Sequence, residues 1–434
     1  MTPRLACILL WYPLFTQPFI FRELEGLQEH LDLSVFTLYG ANTAHCSEAM
    51  LAANNKARHF GVRALPKLLL RLLLWTAAHP IRMAKTLAKH LFRPWPSLEI
   101  FGENLWAFCM AFLLTDWINP KHFDLIYAPW PRGCAQAAQV LSELTGLPYC
   151  VTVRGDNLMP ADPDLEDKMR GALFIRTNNA ADVARIESFG AGSARGKTYL
   201  VYNSLTLNSQ TLSVPGERTQ HILSYDGKRP LALMALGRFD ATKGFDDLLL
   251  ACAILKKQGL AFTLTLAGGG GIAFGLGGMS GKLSAMTRDL KLTDCVSYPG
   301  LISHDDLPAI LKAHDIFIAP CVIDAQGRRD GIPNTLIEAM SLGLPVIATN
   351  IHALPEIVCD RKTGLLVPPN SPENLALAIS DLAKNPALAA DMGKNAAAFV
   401  SQLFSPKNNA RIFADCMKEA LGKKKSSGDG PCVA

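Results

Sequence analysis

Two carboxylates, Asp330 and Glu338, stand with seven residues between them across a predicted junction of loop and helix. The turn Gly331-Ile-Pro333 places proline where a helix can begin, and the unpaired N–H groups of a first helical turn can face an anion. Glu338 follows roughly two helical turns along, where its oxygens can accept hydrogen bonds from a ribose. The spacing therefore predicts a site for a nucleotide diphosphate sugar.

The positive charge that such a site needs is predicted in an earlier motif. When a sugar leaves a nucleotide diphosphate, the leaving group gains negative charge, which cations stabilise. Arg238 and Lys243 lie between a predicted strand and a predicted helix, where a planar guanidinium and a compact ammonium can meet a diphosphate. The alternative is a pair of solvated loop cations. Gly268 to Gly271 follow another predicted strand and can allow the backbone to approach a donor closely.

These motifs resemble the retaining glycosyltransferases of family 4, which have the GT-B fold. Asp330 and Glu338 match the ends of that family's E-x7-E signature, and Arg238 and Lys243 match its G-R-x4-K-G element. Six elements match in the family's order, and the similarity runs through most of the chain. They are Leu236–Phe245, Leu264–Gly269, Tyr298–Leu301, Asp330–Thr349, Leu354–Val358 and Thr363–Pro369.

The resemblance implies an α/β protein with two Rossmann-like, doubly wound parallel-sheet domains that face a central cleft. The chain is similar to bacterial exopolysaccharide glycosyltransferases of the colanic-acid type. This similarity implies transfer of a sugar from a UDP- or GDP-linked donor to a glycan or lipid-linked glycan in cell-surface polysaccharide biosynthesis. Two alternatives stay open: a sugar-nucleotide epimerase on the same fold, and a catalytically degenerate protein that binds donor or acts as a scaffold.

The resemblance also assigns roles to single residues. Asp330 stands where the family has a glutamate expected to touch the donor sugar, so its reach is one methylene shorter. Simple helix capping is the alternative for Asn334 and Thr335. The resemblance implies no metal and no cofactor, because cations and the helix dipole balance the diphosphate. The implied catalytic residues are Asp330, Lys243, Arg238 and Arg154, and the implied donor contacts are Gly237, Arg238, Lys243, Gly269, Gly331, Asn334, Thr335 and Glu338.

Acceptor contacts are implied in the first half of the chain. Arg154 replaces the histidine of the family's T-x-H motif, and an arginine cannot act as a base. It can instead neutralise the diphosphate or hold an anionic acceptor, with Asp156 as a neighbouring acceptor contact. Thr16 and Gln17 fall in the loop after the first predicted strand, where a plain loop is the alternative.

Composition limits the class of protein. The chain has 434 residues, of which 49% are hydrophobic and 19% charged, which predicts two folded domains. A net charge of +5 is too small to argue for nucleic acid as a partner. The eleven cysteines are scattered singly, which favours reduced thiols in the cytoplasm.

Short apolar runs alternate with helical patterns through both halves, which predicts parallel sheets built from βαβ units. The predicted strands are 6–10, 33–38, 125–128, 149–153, 173–177, 198–202, 231–237, 263–267, 296–298, 316–319, 345–349 and 364–367. The predicted domains are an acceptor-side domain at 1–203, a linker at 204–229, a nucleotide-sugar domain at 230–390, helices at 391–421 and a tail at 422–434. The resemblance implies that the last helix returns to the first domain.

One segment suggests a membrane surface. Residues 62–96 contain no Asp or Glu, while seven Lys and Arg residues punctuate leucine-rich helical stretches. This composition predicts a basic amphipathic insertion that lies on anionic lipid, on the inner face of the cell membrane. The alternative is a helix packed within the first domain with a solvated basic face. Residues 106–118 are apolar but too few to span a bilayer, so we predict a buried helix there.

Overall fold

The computed structural model describes residues 2–44, 46–154, 158, 162–205, 228–269 and 278–426. The chain divides into two compact units, Met1–Ser204 with Pro406–Ala434, and Leu205–Ser405. Most of the predicted linker, from 206 to 227, lies outside the described residues. The second unit includes the whole helix Pro386–Leu403, which the predicted boundary at 390 divides.

The strands are β1 Arg4–Leu14, β2 Asp32–Asn42, β3 Ala57–His59, β4 Leu125–Ala128, β5 Tyr149–Thr152, β6 Phe174–Thr177, β7 Thr198–Leu200, β8 Leu231–Leu236, β9 Phe262–Ala267, β10 Val296–Ser297, β11 Ile316–Ala319, β12 Val346–Thr349 and β13 Leu365–Val367. The first unit holds a seven-stranded sheet in the order β3-β2-β1-β4-β5-β6-β7, and the second holds a six-stranded sheet in the order β10-β9-β8-β11-β12-β13. All neighbouring strands pair in parallel.

The helices are α1 Pro18–Gln28, α2 Glu48–Asn54, α3 Leu65–Ala78, α4 Pro80–Leu91, α5 Leu98–Leu114, α6 Gly133–Thr145, α7 Leu165–Gly171, α8 Ala181–Ser188, α9 Phe245–Lys257, α10 Met279–Asp289, α11 Leu307–Lys312, α12 Asn334–Ser341, α13 Pro372–Lys384, α14 Pro386–Leu403 and α15 Pro406–Ser426. None of these described helices is both long enough and apolar enough to cross a bilayer. The predicted buried helix at 106–118 lies largely within α5, whose residues Ala107, Phe108 and Met110 to Leu114 are buried.

The last helix, α15, packs within the first unit. Its Phe413 ring meets Tyr127 and Phe174 edge-on, with ring centroids 5.3 and 6.3 Å apart, and the guanidinium carbon of Arg176 lies 4.8 Å from the Phe413 ring centroid. Arg176 is itself buried and paired with Glu23 of α1. The contacts of Phe413 therefore hold α15 against the sheet, and the ion pair of Arg176 ties α1 to the same strand, β6.

Each of the twelve predicted strands overlaps an observed one, and β3 is the strand that the sequence did not predict. Residues Ala57-Arg58-His59 are few and mostly polar, so they lack the apolar run that marks a buried strand. They pair with β2 at the edge of the sheet, where one side of a strand needs no partner.

Candidate donor and acceptor sites

The loops that carry the predicted donor residues lie at one edge of the second sheet. Strands β8, β9 and β11 run parallel, so the segments that follow them leave from the same, carboxyl edge, where doubly wound sheets bind ligands. The backbone ties these segments together: Phe239 N donates to Gly269 O at 2.9 Å, and Gly268 N donates to Gly300 O at 2.8 Å.

Lys243 and Asp330, which are 87 residues apart in the sequence, form an ion pair at this edge. The Lys243 side chain is buried, and Asp330 is partly exposed. Burial lowers the pKa of Lys243, but the charge of Asp330 and the hydrogen bond to it outweigh burial, so the pKa is raised overall. The ammonium is therefore charged throughout the neutral range. Burial also raises the pKa of the neighbouring Cys321 thiol to about 12, so this cysteine stays neutral.

Two glycines make room for this arrangement. A Cβ on Gly237 would lie 3.1 Å from Cε of Lys243, so a side chain there would displace the lysine. A Cβ on Gly268 would lie 1.9 Å from the Gly237 carbonyl oxygen, and Gly268 has a φ of +130° that other residues rarely adopt. The predicted glycine at 269 follows directly, and residues 270–277 lie outside the described residues.

Helix α12 begins at Asn334, directly after Pro333, as the sequence predicts. Thr335 does not cap its own helix: its Oγ1 donates to the carbonyl of Leu236 at 3.1 Å, which ties α12 to the end of β8. Glu338 is four residues after Asn334 and three after Thr335, so these side chains share one face of the helix. Glu338 is only 1% exposed. The two predicted carboxylates therefore differ, since Asp330 lies on the loop beside a lysine and Glu338 is buried on a helix.

Arg238 occupies a different position from Lys243. Its side chain is 64% exposed, and its guanidinium lies 3.5 Å from Asp240 Oδ2. Asp240 in turn accepts a hydrogen bond from Thr242 N at 2.9 Å, which shapes the turn that leads to Lys243. Arg238 can therefore move toward an anion without losing packing, whereas Lys243 is held in place.

The loop that carries Asp330 is stabilised by hydrogen bonds to Asp324, which the sequence did not predict. Asp324 accepts hydrogen bonds from the backbone N–H groups of Gln326 and Arg328, at 2.9 and 2.8 Å, and from Arg328 Nε at 2.6 Å. Burial raises the pKa of Asp324, but the hydrogen bonds and charge of Arg328 outweigh it, so the pKa is lowered overall. The signal that was available is the spacing of Asp324 and Arg328, four residues apart across Gly327.

In the first unit, Trp130 connects two of the predicted acceptor-side residues. Its Nε1 donates to Gln17 Oε1 at 3.3 Å, and its ring centroid lies 4.3 Å from the guanidinium carbon of Arg154. Arg154 is buried and donates through Nη1 to the Pro129 carbonyl at 2.6 Å. Thr16 is exposed on the same loop as Gln17. Gln17 and Arg154 thus both contact Trp130 at the carboxyl edge of the first sheet, while Asp156 lies outside the described residues.

Sequence reasoning also missed a group of aromatic rings in the first unit. Trp11 of β1 stacks on Tyr39 of β2 with ring centroids 5.5 Å apart, and Tyr39 stacks on Trp106 of α5 at 6.0 Å. Burial raises the pKa of Tyr39 to about 12, so its hydroxyl is protonated at neutral pH.

Carboxylates that imitate a metal motif have other partners. In Asp162-Pro-Asp164, the first aspartate pairs with Arg132 at 2.8 Å, and the second pairs with the buried Lys168 at 2.7 Å. Among the described residues, no group of three or more His, Cys, Asp or Glu side chains is arranged to hold a metal ion.

A known family model matches most of the second half of the chain. Residues 219–399 match the family model described as glycosyl transferases group 1. Over 147 residues the chain is 35% identical to the candidate colanic acid biosynthesis glycosyltransferase WcaL of Escherichia coli, a match that covers 34% of each chain. It is 31% identical over 159 residues to the amylovoran biosynthesis glycosyltransferase AmsK of Erwinia amylovora, with 37% of each chain covered. The chain thus spans about a third of the length of the curated relatives it matches.

Two solved structures resemble the chain along nearly its whole length. Sucrose-phosphate synthase from Thermosynechococcus elongatus has a TM-score of 0.71 at 18% identity, with 97% of this chain and 100% of that one covered. HepE from Anabaena, solved in complex with UDP, has a TM-score of 0.68 at 16% identity, with 96% and 100% covered. At these identities the likeness shows the fold alone, and it confirms the GT-B fold predicted from the sequence.

Proposed function

We propose that this chain, which contains a group 1 glycosyltransferase domain, is a retaining glycosyltransferase that uses a UDP- or GDP-linked sugar. The observation that carries the proposal is the convergence of Lys243, Asp330, Thr335 and Glu338 at the carboxyl edge of the second sheet. A buried ammonium, the start of a helix and a buried carboxylate on that helix offer partners for a diphosphate and a ribose. The chain's resemblance to HepE, which binds UDP, supports a nucleotide-sugar donor.

In the proposed reaction, the bond between the sugar's anomeric carbon and the diphosphate oxygen breaks as a bond to the acceptor oxygen forms on the same face. The acceptor's hydroxyl proton passes to the departing phosphate oxygen. Lys243 and the first N–H groups of α12 stabilise the charge that develops on that oxygen, and Arg238 moves in from solvent to add a second cation. Asp330 holds the hydroxyls of the donor sugar without forming a covalent adduct.

The acceptor binds, in this proposal, at the group formed by Gln17, Trp130 and Arg154. A guanidinium fixed by an aromatic ring and a backbone carbonyl is a rigid partner for a phosphate or carboxylate. Such an anion is present in the diphosphate of a lipid-linked glycan. We therefore propose a glycan or lipid-linked glycan of cell-surface polysaccharide as the acceptor, and the cytoplasmic face of the cell membrane as the place of reaction. The names of WcaL and AmsK support this class of product.

The site assignment is tested by Lys243→Ala and Glu338→Ala. Removing the ammonium should lower kcat by about 100- to 1000-fold, because one fixed charge partner of the transition state is lost. Removing the carboxylate should weaken donor binding by about tenfold or more, since hydrogen bonds to a charged group are lost. Transfer is measured with radiolabelled UDP- and GDP-sugars on membranes that carry the acceptor, and circular dichroism checks folding.

The matched control is Lys256→Ala. Lys256 also forms an ion pair, with Asp294 at 2.5 Å, but it lies on the outer face of α9 and should leave transfer unchanged. Undiminished transfer in both site variants would refute the assignment. Conversion of the donor sugar without any transfer would show an epimerase instead.

A further inference from the structure

Helix α3 presents an apolar face to solvent. Leu69, Leu70, Leu73 and Leu74 are each between 54% and 67% exposed. Pro66 and Ala77 are exposed as well and complete the same side of the helix, since positions three and four apart share one face. We call this outward face of α3 the leucine face; the exposed Lys67, three residues before Leu70, lies at its edge.

The opposite side of α3 is firmly seated on α5. Leu68 is buried, and the ring of Trp75 meets Phe112 edge-on at 5.0 Å between centroids. Arg71 pairs with Asp116 at 2.9 Å and donates to Thr115 at 3.2 Å. Helix α3 is therefore held in place on α5, and the leucine face is an outer surface of the first unit.

This finding argues, for α3, against the interpretation of residues 62–96 as a packed helix with a solvated basic face. A helix packed in the domain with a solvated basic face would turn its charges outward, but α3 turns leucines outward and uses Arg71 in an ion pair. The neighbouring residues Val62, Ile81 and Phe92 are also 72–80% exposed. An apolar patch of this kind on a soluble protein marks a surface that binds a partner.

The charges around the leucine face identify the partner. Residues 62–96 contain no acidic residue, and the exposed Lys67 and Lys85 lie on α3 and on the following helix, α4. On α4, the exposed Arg82 and Lys85 stand three residues apart, so this helix presents a cationic side, while Lys89, four residues further on, pairs with Glu143 at 2.5 Å. A bilayer with acidic headgroups has anionic phosphates at its surface and apolar acyl chains beneath them. Exposed leucines beside cations match this arrangement.

We propose that the leucine face inserts into the boundary between headgroups and acyl chains of an anionic membrane, while the cations of α4 contact lipid phosphates. Insertion to about 5–10 Å is typical of such helices and needs no spanning segment. The inference rests on the proposed function in one respect: a lipid-linked acceptor would require the enzyme to work at a membrane. The proposed contact involves more than charge attraction, because the leucine face, rather than the basic residues, supplies most of the binding.

The test is flotation of the full chain with vesicles of phosphatidylglycerol and phosphatidylcholine, over a series of salt concentrations. The probe variant replaces Leu69, Leu70, Leu73 and Leu74 with glutamine, which keeps helix propensity while removing the apolar face. The control variant replaces Leu377 and Ile412, which are 61% and 40% exposed on α13 and α15, in the same way. Thermal stabilisation by UDP and GDP is measured on every variant, so loss of membrane binding and failure of the donor site are separate results.

We expect the leucine-face variant to bind anionic vesicles more than about tenfold more weakly than the parent, and the control to bind as the parent does. Parent binding should weaken but persist at about 1 M salt, where charge attraction is screened within about 3 Å. Binding that survives the four substitutions unchanged, or that vanishes entirely at high salt, would overturn the proposal. So would a parent dimer in solution that the substitutions convert to monomer without changing vesicle binding, since a second copy would then cover the face.

Discussion

The ion pair between Lys243 and Asp330 is the residue-scale feature on which the donor site depends. Without donor, Asp330 neutralises an ammonium that would otherwise be an isolated, mostly buried charge. A bound diphosphate supplies negative charge to the same ammonium, so Asp330 is released in part to meet the hydroxyls of the sugar. The pair is thus the resting form of the proposed site.

This view predicts opposite effects of Asp330→Asn on binding and turnover. The pKa of Lys243 should fall, since burial lowers it and the charge of Asp330 and the hydrogen bond to it are what raise it. UDP or GDP should bind as tightly as before or more tightly, because a negative charge beside the diphosphate is gone. The kcat for transfer should fall by about 100-fold, as for loss of a group that acts in the transition state. Calorimetry and a transfer assay measure the two quantities, and weaker nucleotide binding with unchanged kcat would contradict this role.

Single site residues could be predicted from the sequence where they belong to a recognisable motif, and not elsewhere. Lys243, Asp330 and Glu338 belong to spaced patterns, and the structure places them at one sheet edge. Trp130 lies between two prolines in a loop and belongs to no periodic pattern, so its contact with Arg154 appears only in three dimensions. The roles of these residues stay predictions.

At the scale of elements, hydrophobic patterns predicted the sheets well and the outward faces of helices poorly. Buried parallel strands are short apolar runs, and that signal marked all strands except the polar β3. In α3, leucines occupy both sides of the helix, so periodicity alone does not tell which side is buried. Packing of Trp75 and Arg71 on α5 decides the orientation.

Helix α1 and the last helix, α15, pack so closely at Gly26 that a methyl group added there should push the two helices apart. A Cβ on Gly26 would lie 2.7 Å from the Ala410 Cβ, whereas a Cβ on Gly102 of α5 would meet nothing within 4 Å. Gly26→Ala should therefore lower the free energy of unfolding of the first unit by about 1 kcal/mol or more, because overpacking costs about 1–3 kcal/mol. Gly102→Ala should raise it by about 0.5–1 kcal/mol through helix propensity alone.

Tryptophan fluorescence during urea unfolding measures this difference, since all six tryptophans lie within the first unit. Equal effects of the two substitutions would mean that the contact between α1 and α15 is loose.

On the scale of the whole molecule, the chain forms two units that each have a parallel sheet and a core of their own. Residues 406–426 return to the first unit after the second is complete, so that unit depends on segments from both ends of the chain. The division of labour in our account follows these units, with donor chemistry in the second and acceptor and membrane contacts in the first.

The central claim is that Lys243, the start of α12 and Glu338 together hold a nucleoside diphosphate. A crystal structure of the full chain with UDP or GDP tests it most directly. We expect the diphosphate within hydrogen-bond distance of Lys243 Nζ and the first N–H groups of α12, with the ribose hydroxyls on Glu338. A nucleotide bound elsewhere, with these three groups unchanged and without contact to it, would contradict the account.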